Sequence, residues 1–346
     1  MEESIRRAGG WLPFDRYMAL VLYAPGLGYY ANDSRKFGQM PSSGSDFVTA
    51  PEMTPLFGKA VAVQVADALQ ATGTDEVWEF GAGSGALAVQ LLGALGTKVR
   101  RYTIVDISRS LRKRQQKALE GFGTQVQWVG ELPEAMRGVV VGNEVLDAMP
   151  VKLLQRTEGA WHERGVGTGF AWVDKPTDLR PPVEIAGSHD YLTEIHPQAE
   201  AFVRTLADRL QAGAAFLLDY GFAESEYYFP QRHMGTLMCH RGHTADMDPL
   251  NDPGLKDVTA HVNFTGVAVA AQEAGLATLG YTTQARFLIN CGLVRMLAEA
   301  PLAQRVAGQR LIAEHEMGEL FKVIAFHKGP FWDAVGFREG DRTHRL

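Results

Sequence analysis

The chain has 346 residues, 46% of them hydrophobic, 21% charged and 10% aromatic, and its 34 basic and 40 acidic side chains leave a formal net charge of -6. This composition excludes collagen-like, disordered and coiled-coil chains, and the acidic balance argues against duplex binding, where phosphate neutralisation demands a basic excess. Cys239 and Cys291 lie far apart without a CxxC spacing, which indicates neither a disulfide framework nor a zinc ribbon.

The start, Met1-Glu2-Glu3-Ser4-Ile5-Arg6-Arg7, is acidic and lacks the apolar h-region of a signal peptide. No apolar run approaches the ~20 residues of a membrane span, so a soluble, cytoplasmic protein is expected. Residues 1–55 are rich in Gly, Pro, Ser and aromatics, with poor periodicity, and within them Gly26-Leu27-Gly28-Tyr29-Tyr30 and Pro41-Ser42-Ser43-Gly44-Ser45-Asp46-Phe47 read as loops. Thr54 followed by Pro55 predicts a capped helix over 55–71, with Phe57, Val61, Val65 and Leu69 on its apolar stripe.

An alternation of strands and helices then begins. Strands are predicted at 77–80, 101–106, 125–129 and 139–143, with helices running to about Leu95 and from Ser108. This order implies a mostly parallel sheet covered on both faces. Residues 153–173 read as a small antiparallel meander, followed by a stiff connection between Lys175-Pro176 and Pro181-Pro182. A fifth strand is predicted at 214–220, then an irregular stretch over 221–262. Helices at 264–274 and from Gln284 to about His315 precede a β-rich run at 321–326. The expectation is one core over 56–346, with insertions at about 151–190 and 221–263 forming a small acceptor-side subdomain, and an N-terminal extension over 1–55 folding over the site.

Glu79-Phe80-Gly81-Ala82-Gly83-Ser84-Gly85 is a glycine-rich turn between strand and helix, which lets a ligand approach the backbone closely. Asp106 ends the next strand, 21 residues after Gly85, where a carboxylate can accept hydrogen bonds from both ribose hydroxyls. Dinucleotides and S-adenosylmethionine both use this layout. The spacing GxGxG, without the sixth-position glycine of the dinucleotide fingerprint, fits S-adenosylmethionine better, with Glu79 near its amino-acid end. Asn143-Glu144-Val145-Leu146-Asp147 stands at the carboxyl end of the fourth strand, where open α/β sheets bind ligands. Asn143, Glu144 and Asp147 would face the acceptor, and carboxylates there suit a cation such as a guanidinium. The Asn/Asp-Pro-Pro-aromatic tetrad of nucleic-acid amino methyltransferases is absent from this position. His233, Cys239, His240, His243, Asp246 and Asp248 come from one short segment without a second ligand pair, so no metal is expected. His240, Arg241 and His261 are instead candidates to contact the acceptor, with His261 a candidate proton acceptor.

These residues resemble the MidA-like methyltransferases, whose mitochondrial members are complex I assembly factors that dimethylate a protein arginine. The similarity runs from Leu22-Tyr23-x-Pro25-x-Leu27-Gly28-Tyr29-Tyr30 through Gly44-x-Asp46-Phe47-x-Thr49-x-Pro51-Glu52, the glycine loop and Asn143-Glu144-x-x-Asp147-Ala148-x-Pro150-Val151. It continues through Asp219-Tyr220-Gly221, Gly235-Thr236-Leu237 and Asp257-x-Thr259-Ala260-His261-Val262-x-Phe264 to Glu316-Met317-Gly318-Glu319-Leu320-Phe321-Lys322-Val323. Asp106 and Asn263 depart from the Glu and Asp usual in the family. The resemblance implies a Rossmann-like class I fold, S-adenosyl-L-methionine as donor and a protein substrate with an accessible arginine. Gly81, Gly83, Gly85, Asp106, Glu79, Ile107, Asn143 and Thr49 are assigned to the cofactor, and Glu144, Asp147 and His261 to catalysis. No metal, nucleic acid or membrane insertion is expected, and a homo-oligomer is compatible with the reading. An S-adenosylmethionine-binding assembly factor without turnover, a methyltransferase of small amines and, last, a dehydrogenase stand as rivals.

Overall fold

The computed structural model describes residues 1–32, 48–106, 108–242 and 244–346. The chain begins with α1 (Glu2–Arg7), β1 (Trp11–Pro13) and α2 (Phe14–Tyr23). Here the structure corrects the expectation of poor periodicity. Phe14, Tyr17, Met18, Val21 and Leu22 recur at helical spacing and are all buried, each apolar side chain contributing about 1.5–3 kcal/mol on burial. After α3 (Ala50–Met53), α4 (Pro55–Thr72) starts where predicted. The Thr54 hydroxyl accepts from the Leu56 amide, and Pro55 fills the first position, where no N–H is needed. Gly73, at φ 61°, ends the helix in the left-handed region. The predicted stripe Phe57, Val61, Val65 and Leu69 is buried.

The alternating unit follows as β2 (Glu76–Phe80), α5 (Ala86–Leu95), β3 (Arg101–Val105), α6 (Arg109–Ala118), β4 (Val126–Val129) and β5 (Met136–Asn143). The first insertion contributes β6 (Lys152–Thr157), β7 (Ala160–Gly167), β8 (Ala171–Pro176) and β9 (Tyr191–Ile195), after which α7 (Pro197–Arg209) returns the chain to β10 (Leu210–Phe222). The second insertion holds α8 (Glu224–Tyr227), β11 (Met238–Arg241), β12 (Thr244–Asp246) and β13 (Asp257–Thr259). It ends on β14 (Val262–Asn263), which is followed by α9 (Phe264–Glu273) and β15 (Ala277–Thr283).

The expected helix from Gln284 to His315 is broken into α10 (Gln284–Asn290), α11 (Leu293–Glu299) and α12 (Leu302–Arg310). Gly292 at φ 86° separates the first two. Pro301, with no N–H to donate, separates the second pair. The chain then forms β16 (Phe321–Lys328).

The central sheet runs β15-β16-β10-β5-β2-β3-β4. Strands β10, β5, β2, β3 and β4 are parallel, and β16 is antiparallel to both its neighbours. This is the expected Rossmann-like α/β core. Its strand order reverses at β2, between β3 and β5, which puts the carboxyl ends of β2 and β5 at the crevice where such sheets bind ligands. A second sheet, β1-β7-β6-β9 with β8 on β7, is built from the first insertion together with β1. The meander is as predicted, but its edge is completed by β1, whose Trp11–Pro13 pair with Gly165–Gly167. Helix α2 covers it, and one hydrophobic cluster joins Tyr17 and Val21 to Leu153 and Val166 of the first insertion and to Cys239 and Val258 of the second. The N-terminal segment and both insertions therefore share a core of their own.

Candidate active site

The loop after β2 is built on glycines in the left-handed region, with Gly81 at φ 63°, Gly83 at 53° and Gly85 at 89°. At Gly81 the constraint is doubled, because a Cβ would stand 3.0 Å from the Val145 methyl. The Gly85 amide donates to Ala82 O at 2.7 Å, closing the turn directly before α5. Asp106, just beyond β3, accepts from the Ser108 amide at 2.8 Å and from Gln115 Nε2 at 2.7 Å. Gln115 also donates to Gly83 O at 3.1 Å, while Trp128 Nε1 donates to its carbonyl at 3.1 Å. One side chain thus ties the acid to the glycine loop. Glu79 is buried in β2, and the Tyr102 hydroxyl donates to it at 2.8 Å. Burial pushes its carboxyl up to about 8 despite that bond.

Across the crevice, β5 ends in Asn143, and Glu144 follows it. Glu144 takes φ 54°, unusual for a residue with a side chain and costing of order 1 kcal/mol or more. Its amide donates to Leu218 O at 2.8 Å, and its carboxylate accepts from Asn143 Nδ2 at 3.0 Å and from the Ala50 amide. Burial, then the nearby Asp147, push Glu144 up to about 8. Asp147 accepts from the Tyr220 hydroxyl at 2.7 Å, and burial carries it to about 6. Asp219, wholly buried on β10, accepts from the amides of Val145, Leu146 and Asp147 at 3.0, 2.8 and 3.3 Å. Burial and the charges of Asp147 and Glu144 push its carboxyl well up. Asn143 Oδ1, Asp147 Oδ1 and His261 Nδ1 are buried atoms without a hydrogen-bond partner.

A cavity of about 710 Å³ joins the two ends, lined at one by the glycine loop and Asp106 and at the other by Glu144, Asp147, Tyr220 and His261. Its third wall comes from the N-terminal segment through Tyr23, Tyr30, Thr49 and Glu52. Tyr23 and Tyr30 stack at 5.6 Å with rings 20° apart. Tyr30 reaches both ends: its carbonyl accepts from the Ser108 hydroxyl at 2.8 Å, and its own hydroxyl lies 2.9 Å from both oxygens of Asp257. The Tyr23 hydroxyl donates to Ala148 O at 2.8 Å, and the Ser84 hydroxyl to Glu52.

Glu79, Gly81, Gly83, Asp106, Asn143, Thr49, Glu144, Asp147 and His261 all line this cavity, whereas Gly85 sits behind it as the N-cap of α5. Ile107, His243 and residues 44–47 lie outside the described residues. His261 packs edge-on against Tyr220 and Phe222, each 5.2 Å away. Burial, with the positive Arg232 and Lys322 beyond it, lowers it to about 4, which favours the neutral ring. His240 lines the cavity, while Cys239 is buried in the N-terminal core. Arg241 pairs with Asp252 and Asp246 with Lys256. Among the described residues no group of three or more His, Cys, Asp or Glu is placed to hold a metal. Asn263 caps α9 through its carbonyl, and Glu319 is engaged by Arg342.

Gln115, Asp219, Tyr220, Tyr23, Tyr30 and Asp257 were not assigned from the sequence. An apolar strand ending in Asp-Tyr was the available signal for Asp219 and Tyr220. Gly235-Thr236-Leu237 has a structural reason: the Thr236 and Leu237 amides donate to buried Glu194 at 2.8 and 3.2 Å, and a Cβ on Gly235 would lie 2.5 Å from that carboxylate.

Residues 60–282 match the family model described as S-adenosyl-L-methionine-dependent methyltransferase. The chain is similar to the mitochondrial protein arginine methyltransferase NDUFAF7 of Danio rerio, 28% identical over 327 residues covering 83% of this chain and 74% of the relative. It is likewise 28% identical to that of Homo sapiens, with 92% and 80% covered. A crystal structure from Burkholderia thailandensis bound to S-adenosyl-homocysteine has a TM-score of 0.96 and 49% identity, covering 100% of this chain and 95% of that one. The curated relatives are named as mitochondrial, which overturns the cytoplasmic expectation: lack of a secretory h-region excludes only one kind of address. Among the described residues no helix is long and apolar enough to cross a membrane.

Proposed function

This chain belongs to the S-adenosyl-L-methionine-dependent methyltransferases, and from that premise we propose that its acceptor is the guanidinium of an arginine in a protein. The site fits the donor. The loop presents the left-handed backbone of Gly81 and Gly83 to the cavity, and Asp106 lies on the wall to meet a ribose. Glu79, Asn143 and Thr49 are assigned around it, with Glu79 toward the ammonium of the methionine portion. Bound S-adenosylmethionine supplies a methyl group on a sulfonium.

The observation that carries the acceptor reading is the pair of partnerless acceptor atoms at Asn143 Oδ1 and Asp147 Oδ1, beside the carboxyl of Glu144. Buried acceptors demand donors, and a guanidinium brings five N–H groups in one plane. Glu144 and Asp147 hold that plane by charge-assisted bonds and set one nitrogen in line with the transferred carbon. The nitrogen that gains the methyl must lose a proton. Glu144, poised near 8, takes it, and the stacked Tyr23 and Tyr30 keep water out. The core shared by the N-terminal segment and the insertions supports reading the insertions as the acceptor-side subdomain and the N-terminal segment as a cover over the cofactor site.

The relatives' names agree with this acceptor. Proteome-wide mass spectrometry of cells with and without the gene tests it, with loss of at least one methylarginine site expected. An unchanged arginine methylome, with a methylated small amine lost instead, would refute it.

A further inference from the structure

The turn that carries Glu144 and Asp147 is short, irregular and strained, yet the acceptor reading requires both carboxylates to be held in fixed places. A single oxygen outside the turn does the holding. Asp219 Oδ2 receives three consecutive amides, those of Val145, Leu146 and Asp147, at 3.0, 2.8 and 3.3 Å. Successive N–H groups converging in this way form a concave anion site, of the kind that elsewhere cradles phosphate. Here a carboxylate of the chain itself fills it. Asp219 is wholly buried and does not border the cavity, so it acts only through its neighbours.

The next residue completes the device. Tyr220 does border the cavity, and its hydroxyl bonds Asp147 Oδ2 at 2.7 Å, leaving Asp147 Oδ1 free for a ligand. The two are fixed together, because Asp219 Oδ1 accepts the Tyr220 amide at 2.9 Å. The pairing of β5 with β10 supplies the remaining anchor: Leu218 lies opposite Asn143, and Leu218 O accepts the Glu144 amide at 2.8 Å. Glu144 thereby stays in the left-handed backbone its φ of 54° requires.

Stability alone disfavours a third buried acid beside two others, since a neutral acceptor would satisfy the same amides without the repulsion. Local rules are broken in this way where function needs the geometry. We propose that Asp219 is a positioning residue for methyl transfer: it holds the 144–147 turn by its amides, while Tyr220 aims Asp147 at the acceptor. The proposal rests on the acceptor reading above for its consequence in turnover, but the holding itself is independent of which acceptor is used.

The test uses the full chain with bound S-adenosyl-homocysteine, and the variants Asp219→Ala, Asp219→Asn, Tyr220→Phe and Glu144→Gln. Hydrogen exchange reads the holding directly. Asp219→Ala should speed exchange of the 145–147 amides at least tenfold while amides of β2 and β3 stay as protected as in the wild type. Asp219→Asn, which keeps one acceptor oxygen, should recover most of that protection. Transfer is read with methyl-labelled S-adenosylmethionine and protein extract from cells lacking the gene. Asp219→Ala should lower kcat at least 30-fold with the KM for S-adenosylmethionine within threefold of wild type, and Asp219→Asn should regain at least tenfold of the loss. Tyr220→Phe keeps the ring and covers the case in which the alanine variant does not fold; it should lower kcat about tenfold with the same unchanged KM.

Wild-type exchange in Asp219→Ala overturns the proposal, as does a wild-type kcat in that variant or in Tyr220→Phe. A kcat loss matched by equal loss of S-adenosyl-homocysteine affinity also overturns it, because that is a folding defect. The acceptor reading fails separately, by a wild-type rate in Glu144→Gln, and the exchange result then still decides the role of Asp219.

Discussion

Replacing Glu144 by Gln tests the acceptor end most directly, because the amide keeps the shape and can still accept the Asn143 bond now made at 3.0 Å. What it loses is charge. A bidentate carboxylate–guanidinium contact is made of two charge-assisted hydrogen bonds, each of about 1.5–3 kcal/mol, so the loss is at least about 3 kcal/mol. At about 1.4 kcal/mol per factor of ten this is more than 100-fold in kcat/KM. Loss of the proton acceptor is felt in the same step and extends the range to roughly 10⁴-fold. Affinity for S-adenosyl-homocysteine should stay within threefold, since Asp106 and the glycine loop line the opposite wall. The pH profile carries the signature. With a carboxyl near 8, the ionised form falls about tenfold for each unit below that value, so the wild type should show an acid limb there and the Gln variant none. Initial rates of label transfer from pH 6 to 9, with calorimetric binding of S-adenosyl-homocysteine as control, make the measurement. A rate within threefold of wild type, or an unchanged acid limb, would refute the reasoning.

Asp106→Ala should weaken S-adenosyl-homocysteine binding about 10- to 100-fold by calorimetry, the worth of one to two charge-assisted bonds to a ribose, and an unchanged Kd would remove Asp106 from the site. Glu79 is an acid whose folded value, about 8, lies above its ordinary 4.5, so the folded state binds the extra proton and stability falls as pH rises between those values. Denaturant titrations of the ligand-free protein at pH 6.5 and 8 should show that fall, with Glu79 and Glu144 each contributing up to about 1.4 kcal/mol per unit, and Glu79→Gln should remove the Glu79 share while the Glu144 share persists. This window lies above the histidine transitions, because His196 and His261 are lowered to about 4 and their opposite effect is complete by the ordinary 6.5. Gly235→Ala should cost at least about 1–2 kcal/mol, since φ 72° is left-handed and the new methyl meets Glu194; a Tm equal to wild type would contradict that account.

Features set by neighbours in sequence were legible. The Thr54-Pro55 cap, the glycine turn and the acid after β3 depend on spacings of a few residues and stand where expected. The breaks at Gly292 and Pro301 were also readable, because both residues interrupt helices by their own backbone chemistry, but the apolar residues around them suggested continuity. Helix α2 was hidden by the glycines and prolines on either side of a regular apolar stripe. What no local pattern carries is a bond across the fold. Asp219 lies 74 residues from Val145, and Gln115 is an ordinary mid-helix polar residue until the fold sets it against Gly83. Such residues are polar side chains that a fold buries by bringing distant strands together, and one sequence does not reveal the partner.

The pairing of β1 with β7 also imposes an order on biosynthesis. Trp11 Nε1 donates to Val173 O across 162 residues, and the apolar face of α2 is covered only when that part of the chain exists. At roughly 5–20 residues per second, a ribosome needs about 8–30 s to supply it. Through that interval a helix presenting Phe14, Tyr17 and Val21 lacks the cover that Leu153 and Val166 later supply, and its exposure invites chaperones or misassociation. The strands and loop of the cofactor half are made within a few seconds of one another. A growing chain therefore completes its donor end first, and the aromatic wall that closes the site arrives only after the first insertion has emerged.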